Sequence, residues 1–219
     1  MLPMGPRPDV NAESVRRDNV TRDFRHGTRG ESAARCIGPI TKGCDIFGLT
    51  KGDFSMIDIL RHIAREIGPC RIDIGTWTAA AAEIKQAFDM LGDKNILTMR
   101  WLVDRSFPAR QGKYYRSLLD KFGQDSVRLA RFHAKFILLE NEDFSVAVRT
   151  SMNLNLNARI EFYELSEGSP IGGYLKQVVD HHFAKPSEDS YGAFKDFDIA
   201  DQVKEQQPQQ PQQRLSGWD

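Results

Sequence analysis

The sequence predicts an α/β protein in which a mixed β-sheet is flanked by helices. Runs of strand length alternate with longer stretches whose apolar residues recur at helical spacing, an order typical of helices packed on a sheet. With 219 residues, 40% of them hydrophobic, the chain can bury one substantial core. We therefore expect one folded domain over 46–186, after a flexible or irregular arm over 1–45. The Gln/Pro-rich remainder, 187–219, is predicted to be a disordered tail.

The first clear element is a helix over 53–67, where apolar residues recur at helical spacing. Asp53 is the predicted N-cap, and Gly68-Pro69 ends the helix. His62 falls off the apolar stripe, so we expect it at the surface. Strand and helix signals then alternate, with strands over 71–77 and 96–104 and a helix over 78–91 between them.

The second half of the chain carries most of the predicted strands. A helix is predicted over 110–122, closed by Gly123, and a last helix over 171–183 ends before Pro186. Between these helices, short apolar or alternating runs predict strands over 127–132, 134–139, 145–150 and 161–165. This order of strands and helices indicates a mixed sheet.

Composition excludes several classes of protein. No apolar stretch approaches the ~18 residues needed to span a bilayer, and the N-terminus lacks the apolar core of a secretion signal. The three cysteines are odd in number and widely spaced, which argues against a disulfide framework, so we expect a cytoplasmic protein. The absence of a CxxC pair argues against a structural zinc site.

The formal net charge is zero, but the charges are segregated along the chain. From residue 99 to 135, nine Lys and Arg face three Asp, whereas from residue 186 onward seven acids face three bases. The basic middle segment favours an anionic partner, with a solvated helix face as the alternative. The cations predicted to contact nucleic acid are Arg105, Arg110, Lys113, Arg116, Arg128 and Arg131.

Three further features bear on partners. Aromatic residues interleave with these cations, and they are either stacking partners for bases or members of the core: Trp101, Phe107, Tyr114 and Tyr115. No amphipathic helix with a basic face stands out, which argues against a membrane partner. Trp218 follows the Gln/Pro-rich run, so the tail is either a short docking peptide for another protein or a terminus without function.

Four polar side chains at matching spacing form the candidate site. His133 precedes a buried strand, and Lys135 two positions later points to the same side. Ser151 and Asn153 repeat this spacing after the next strand. An imidazole is a competent nucleophile toward phosphorus, and an ammonium, a hydroxyl and an amide can hold phosphoryl oxygens. Taken singly, the same residues are equally typical of strand edges, turns and caps.

A carboxylate completes this set. Glu164 lies on the following strand and could accept a hydrogen bond from the second ring nitrogen of His133, which would set the tautomer of the imidazole. A surface carboxylate is the alternative interpretation, and Glu161 competes for the same role.

The pattern over about 133–165 resembles the HKD motif of the phospholipase D superfamily, H-x-K-x4-D-x6-G-S-x-N. Thr150 replaces the motif glycine and adds a β-branched side chain beside the phosphate pocket. The gap from lysine to aspartate is seven residues instead of four if Asp143 is the motif acid. Either Glu140 holds that position or three residues are inserted, and the insertion keeps the distance to the serine. The residues that match directly are His133, Lys135, Ser151 and Asn153.

The resemblance implies a phospholipase D-like fold with one motif per chain, most similar to single-motif bacterial endonucleases, in which Glu164 matches a downstream glutamate. It further implies a phosphodiesterase without metal or cofactor, most simply a nuclease acting on DNA through a phosphohistidine on His133. Because the sequence holds one motif, the second histidine is expected from another copy in a homodimer. The alternatives are a catalytically silent DNA-binding or assembly protein and a lipid-synthase-like transferase.

Overall fold

The computed structural model describes residues 21–26, 32–92, 94–155 and 159–185, which form one eight-stranded sheet with helices on both faces. The strands are β1 (Asp23–His26), β2 (Asp45–Thr50), β3 (Cys70–Thr76), β4 (Ile96–Asp104), β5 (Val127–Ala130), β6 (Phe136–Glu140), β7 (Ser145–Thr150) and β8 (Glu161–Glu167). The helices are α1 (Ala33–Ile37), α2 (Met56–Ile67), α3 (Ala81–Met90), α4 (Phe107–Phe122) and α5 (Pro170–Phe183). The predicted α/β class with a mixed sheet is confirmed.

The strand order determines which chain segments meet at each edge of the sheet. The order is β1-β2-β8-β7-β6-β3-β4-β5. Three pairs of neighbouring strands are parallel: β1 with β2, β3 with β4, and β4 with β5. The other four pairs are antiparallel. The carboxyl ends of β3, β4, β5 and β7 therefore meet the starts of β6 and β8 at one edge. We call this the upper edge.

The two faces of the sheet are covered differently. Buried side chains of one face join α1, α2, α3 and α4 in a single core cluster. On the other face α5 packs against β5, β6 and β7. A Cβ built on Gly172 of α5 would lie 2.9 Å from Oγ of Ser145 and 3.6 Å from Cδ1 of Leu138, so the glycine allows α5 its close approach.

Helix α2 begins later than predicted and has a different cap. Ser55 is the N-cap: its hydroxyl accepts from the N–H of Asp58, and the Asp58 carboxylate accepts from the N–H of Ser55 (2.8 Å). This reciprocal capping box satisfies two backbone donors at the start of the helix. Asp53, the predicted N-cap, instead accepts from the N–H of Lys51 in the preceding turn (3.2 Å).

The range 1–45 contains ordered elements that the prediction of an irregular arm missed. Its described part forms β1 and α1, and β2 begins at Asp45. Helix α1 packs against α2, which is why His62 is 9% exposed and not the surface residue that the pattern predicts. Its Nε2 lies 2.7 Å from the carbonyl oxygen of Gly38. Residues 1–20 and 27–31 lie outside the described residues, as does the predicted tail over 187–219.

At least two of the three cysteines are unsuited to act as nucleophiles. Cys36, Cys44 and Cys70 are free thiols. Burial raises the pKa of Cys70 to about 11 and also raises the pKa of Cys44. Since the thiolate is the nucleophilic form, these two side chains are unsuited to attack near neutral pH. Across the described ranges, no helix has the length and apolar character to cross a membrane.

Candidate active site

His133 and Lys135 lie on the loop that leads from β5 into β6, at the upper edge of the sheet. Phe136 begins β6 opposite Arg149 of β7, and the N–H of Thr150 donates to the carbonyl of Lys135 (3.1 Å). This pairing ties the loop to the end of β7. His133 is exposed and Lys135 is half-buried. Nζ of Lys135 lies 3.3 Å from Nδ1 of His133, so the imidazole and the ammonium are in contact.

The ammonium of Lys135 shares its surroundings with a carboxylate and a hydroxyl. Partial burial lowers the pKa of Lys135, and the charge of Glu161 at the start of β8 opposes that shift. The hydroxyl of Ser151 donates to the carboxylate of Glu161 and accepts from the N–H of Phe162 (3.1 Å). The structure thus brings Ser151 to the same polar cluster as the predicted histidine and lysine.

Thr150, in place of the motif glycine, supports the turn after β7. Its side chain is 6% exposed, and its hydroxyl donates to the carbonyl of Phe162 (2.6 Å) and accepts from the N–H of Met152 (3.0 Å). These two bonds hold the turn that presents Ser151. The hydroxyl is therefore committed to backbone groups.

The loop beyond this turn carries Asn153 and is fastened to the loop after β3. The N–H of Leu154 donates to the carbonyl of Thr78 (3.2 Å), and the N–H of Ala80 donates to the carbonyl of Leu154 (2.8 Å). Asn153 is half-buried, and its Oδ1 is buried without a hydrogen-bond partner among the described residues. Its backbone is thus fixed at the upper edge while this amide oxygen is not committed to the protein.

Glu164 is not brought to the site. It stands opposite Arg149 in the sheet register, 3.2 Å from that guanidinium, and its other oxygen is 3.3 Å from Arg22. Its neighbours on β8 fill the core, so alternation along the strand turns Glu164 to the opposite face. The predicted bond to the second nitrogen of His133 is wrong. Glu161, the competing candidate, is the carboxylate that lies in the cluster.

The two candidate motif acids lie at the far end of the β6–β7 hairpin. Glu140 accepts from the hydroxyl of Ser145 (3.2 Å), and Asp143 is exposed in the turn with its N–H bonded to Oδ1 of Asn141 (3.0 Å). The five residues of β6 span about 17 Å at about 3.4 Å per residue. Both acids are therefore a strand length from His133, and their contacts stabilise the hairpin.

Arg128, one of the predicted nucleic-acid contacts, faces inward. Its side chain is 6% exposed, and its guanidinium lies 4.7 Å from the ring of Phe183. Burial lowers its pKa, and the charge of Asp125 opposes that shift. Its N–H groups donate to four backbone carbonyls, at Gln124, Asp125, Val127 and Lys185. The prediction for Arg128 is wrong because the carboxyl end of α5 and the residues that follow it cover this side chain.

The other predicted cations are more accessible. Arg105 and Arg131 are exposed and directly follow β4 and β5 at the upper edge, and Lys113 and Arg116 are exposed on α4. The interleaved aromatic residues do not accompany them. Trp101 and Phe107 are fully buried in the core cluster, and Tyr114 and Tyr115 pack against it. These rings are therefore members of the core and not stacking partners for bases.

Trp77 is a site residue that the motif did not indicate. It directly follows β3, and its ring centroid lies 5.4 Å from that of His133, with 59° between the planes. The guanidinium carbon of Arg110 lies 3.8 Å from the Trp77 ring centroid. No local signal in the sequence could have placed Trp77 here, because it is the strand order of the sheet that brings the end of β3 beside the start of β6.

The arrangement suits substitution at an electrophilic centre that carries anionic oxygens. An exposed imidazole is the available nucleophile, and the ammonium of Lys135 lies beside it. The hydroxyl of Ser151 is bonded to Glu161, whose charge acts on that ammonium. Within residues 21–26, 32–92, 94–155 and 159–185, no three His, Cys, Asp or Glu side chains group as a metal site would require.

Distant matches among solved structures include a protein from Helicobacter pylori and one from Haemophilus influenzae. NucT from Helicobacter pylori has a TM-score of 0.44 at 13% identity, over 64% of this chain and 96% of that one. A phosphatidylserine synthase from Haemophilus influenzae has a TM-score of 0.44 at 17% identity, over 61% of this chain and 36% of that one. No family model and no curated protein matches the sequence. At scores this low, the function has to be inferred from the side chains at the upper edge.

Proposed function

We propose that the protein is a metal-independent phosphodiesterase, a nuclease acting on DNA, with His133 as its nucleophile. The observation that carries the proposal is the contact between an exposed imidazole and a half-buried ammonium, 3.3 Å apart at the upper edge. Histidine forms covalent intermediates with phosphorus. A fixed cation beside it stabilises the negative charge that develops on the phosphoryl oxygens.

The reaction proceeds in two displacements. A ring nitrogen of His133 bonds to phosphorus as the bond from phosphorus to the leaving oxygen breaks, and a second imidazolium gives its proton to that oxygen. Water then attacks phosphorus and loses its proton to the second imidazole, while the nitrogen–phosphorus bond breaks. Lys135 and the side-chain amide of Asn153 hold the phosphoryl oxygens in both steps.

The second imidazole is supplied by another copy of the chain. His133 is the single histidine at the upper edge among the described residues whose side chains are placed, since the other three are His62, His181 and His182 on α2 and α5. A two-fold axis near the upper edge would bring two His133 side chains together. Sedimentation at the concentration of the activity assay should give a dimer, and a protein that is monomeric yet fully active would overturn this part.

DNA is the proposed substrate because exposed cations surround the site. Arg105 and Arg131 lie at the upper edge, and Lys113 and Arg116 extend the basic surface along α4. A polyphosphate ligand that displaces counterions loses affinity steeply as salt rises. Binding of a DNA oligonucleotide should show this slope, and replacing Lys113 and Arg116 together should reduce it. A single headgroup phosphate would show neither effect.

The deciding experiment is a DNA cleavage assay with EDTA present. The wild type should cleave, and His133→Ala should lose cleavage while keeping its fold by circular dichroism. His181→Ala, which removes an imidazole from α5, is the matched control and should cleave normally. Retention of cleavage by His133→Ala at the wild-type rate would sink the assignment.

One observation favours a second candidate, a DNA-binding protein without turnover. The nearest polar contact of Nδ1 of His133 is the ammonium of Lys135, and Glu164 faces the other side of the sheet. A histidine without a carboxylate on its second nitrogen is a weaker base. A protein of this kind would bind DNA with the same dependence on salt but would not cleave it. His133→Ala would lower its affinity for DNA only by the loss of one contact.

A further inference from the structure

The carboxylate of Asp104, at the end of β4, collects contacts from three directions. Its Oδ2 accepts from the N–H of Phe132 (3.1 Å), the residue immediately before His133. Its Oδ1 accepts from the N–H of Ser106 (2.9 Å) and from the Ser106 hydroxyl, and lies 4.0 Å from the guanidinium of Arg110. One side chain thus connects the loop that carries the nucleophile with the start of α4.

The start of α4 in turn holds the indole beside the nucleophile. Nε of Arg110 donates to the hydroxyl of Ser106 (2.8 Å), and one Nη donates to the carbonyl of Trp77 (2.9 Å). The same guanidinium stacks on the Trp77 ring at 3.8 Å, a cation–π geometry. The other neighbour of that ring is the imidazole of His133.

A break in α4 makes these contacts geometrically accessible. Gln111 has φ −142° and ψ 49°, outside the helical range, so the first turn of α4 is set off from the rest. Oε1 of Gln111 accepts from the hydroxyl of Thr78 (2.7 Å), which fastens the break to the loop after β3. The interruption directs Arg110 toward Trp77 instead of along the helix surface.

Electrostatics favour the ionised form of the Asp104 carboxylate. Burial by itself would raise the pKa of Asp104, but the hydrogen bonds from Ser106 and Phe132 and the charge of Arg110 outweigh it, so the pKa is lowered. The same contacts that hold Asp104 in place therefore favour its ionised form, which accepts hydrogen bonds at both oxygens.

We propose that Asp104 is a positioning residue that holds the imidazole of His133 from two sides. On one side it fixes the backbone of Phe132, and on the other it fixes the indole of Trp77 through Arg110. Asp104 does not touch the substrate. The inference rests on the proposed function for its kinetic consequence, because orienting the nucleophile raises the rate of attack more than it raises affinity.

The structural part of the proposal is tested without an activity assay. Ring protons of His133 are shifted in NMR spectra by the neighbouring indole, and the His133→Gln spectrum identifies them among the five histidines. Trp77→Leu defines the shift without the indole. Asp104→Asn should move the His133 signals more than halfway toward that value, whereas Asp120→Asn on exposed α4 should leave them unchanged. Unmoved signals in Asp104→Asn would overturn the proposal.

The kinetic part distinguishes positioning from a structural role. Asp104→Asn should lower kcat at least tenfold with KM within threefold of wild type, and Asp120→Asn should change neither. If Asp104→Asn does not fold, Arg110→Met decides, because it removes the guanidinium that connects Ser106 to Trp77 and should give the same NMR displacement. Cleavage that survives in His133→Ala would reject the proposed function, whereas wild-type NMR signals and kcat in Asp104→Asn would reject only the positioning role.

Discussion

Replacing Lys135 by methionine is expected to lower kcat by about 10²–10³-fold, because methionine keeps most of the unbranched apolar stem and removes the charge. Nζ of Lys135 lies 3.3 Å from Nδ1 of His133, so a phosphoryl group attacked by that ring lies beside the ammonium. A phosphoryl oxygen about 4 Å away is attracted by about 4 kcal/mol at an effective dielectric constant of about 20, as suits a half-buried group. Preorganised donors in other enzymes contribute about 2.7–4 kcal/mol, which agrees.

The assay is single-turnover cleavage of a labelled DNA oligonucleotide at saturating protein, which reports the chemical step without the contribution of binding. Lys42→Met is the matched control, because it removes an exposed lysine that is ion-paired with Glu167 (3.6 Å) at the end of β8, opposite the upper edge. The control should retain the wild-type rate. If Lys135→Met cleaves within threefold of wild type, Lys135 does not stabilise the transition state and the assigned role is wrong.

Two further outcomes follow from the ion pairs of Arg100 and from the carboxylate beside Lys135. Asp73→Ala should lower the free energy of unfolding by about 3 kcal/mol, because it deprives Arg100 of a bidentate partner (2.6 and 2.7 Å) that is 7% exposed. Asp180→Ala removes the other partner of Arg100, which is 45% exposed, and should cost about 1 kcal/mol or less; equal losses in urea titrations of the two variants would contradict this ordering. Glu161→Gln should move the alkaline limb of the kcat/KM profile to lower pH. The carboxylate of Glu161 raises the pKa of Lys135, so its removal lowers that pKa, and the reaction needs the ammonium protonated. If the alkaline limb stays at the same pH or moves to higher pH, Lys135 is not the titrating group.

Elements with strong apolar patterns could be predicted from the sequence to within a few residues. β4 and β7 have the predicted bounds, because each strand carries an uninterrupted apolar or alternating run. β2 was missed because its pattern is broken by Gly48. Packing requires that glycine, because a Cβ there would lie 2.1 Å from Cζ of Tyr163, its register partner on the neighbouring strand β8.

The candidate site was predictable only in part. The spacing of His133 and Lys135 was sufficient to place both at one strand start, and the structure has them in contact. Choosing between Glu161 and Glu164 requires the strand register, since residues three apart on a strand face opposite sides. Trp77 reaches the site through the strand order of the sheet, which no local pattern contains.

The sequence also could not show which arginines of the basic segment are exposed and which are buried. Arg128 and Arg131 stand three residues apart in one basic segment and have the same composition signal. Arg128 turns toward α5 and donates to backbone carbonyls, whereas Arg131 follows the strand end and is exposed. Only the position of α5, about fifty residues further along the chain, separates a structural arginine from one that can meet a phosphate.

Trapping the covalent intermediate tests the central claim, that His133 attacks phosphorus, most directly. A labelled DNA oligonucleotide is mixed with the protein, the reaction is stopped within one turnover in alkaline detergent, and the adduct is digested with trypsin and analysed by mass spectrometry. The account predicts a phosphoryl adduct on the peptide 132–135, absent from His133→Gln. Rapid cleavage with no adduct on this peptide, or an adduct on another residue, would contradict it.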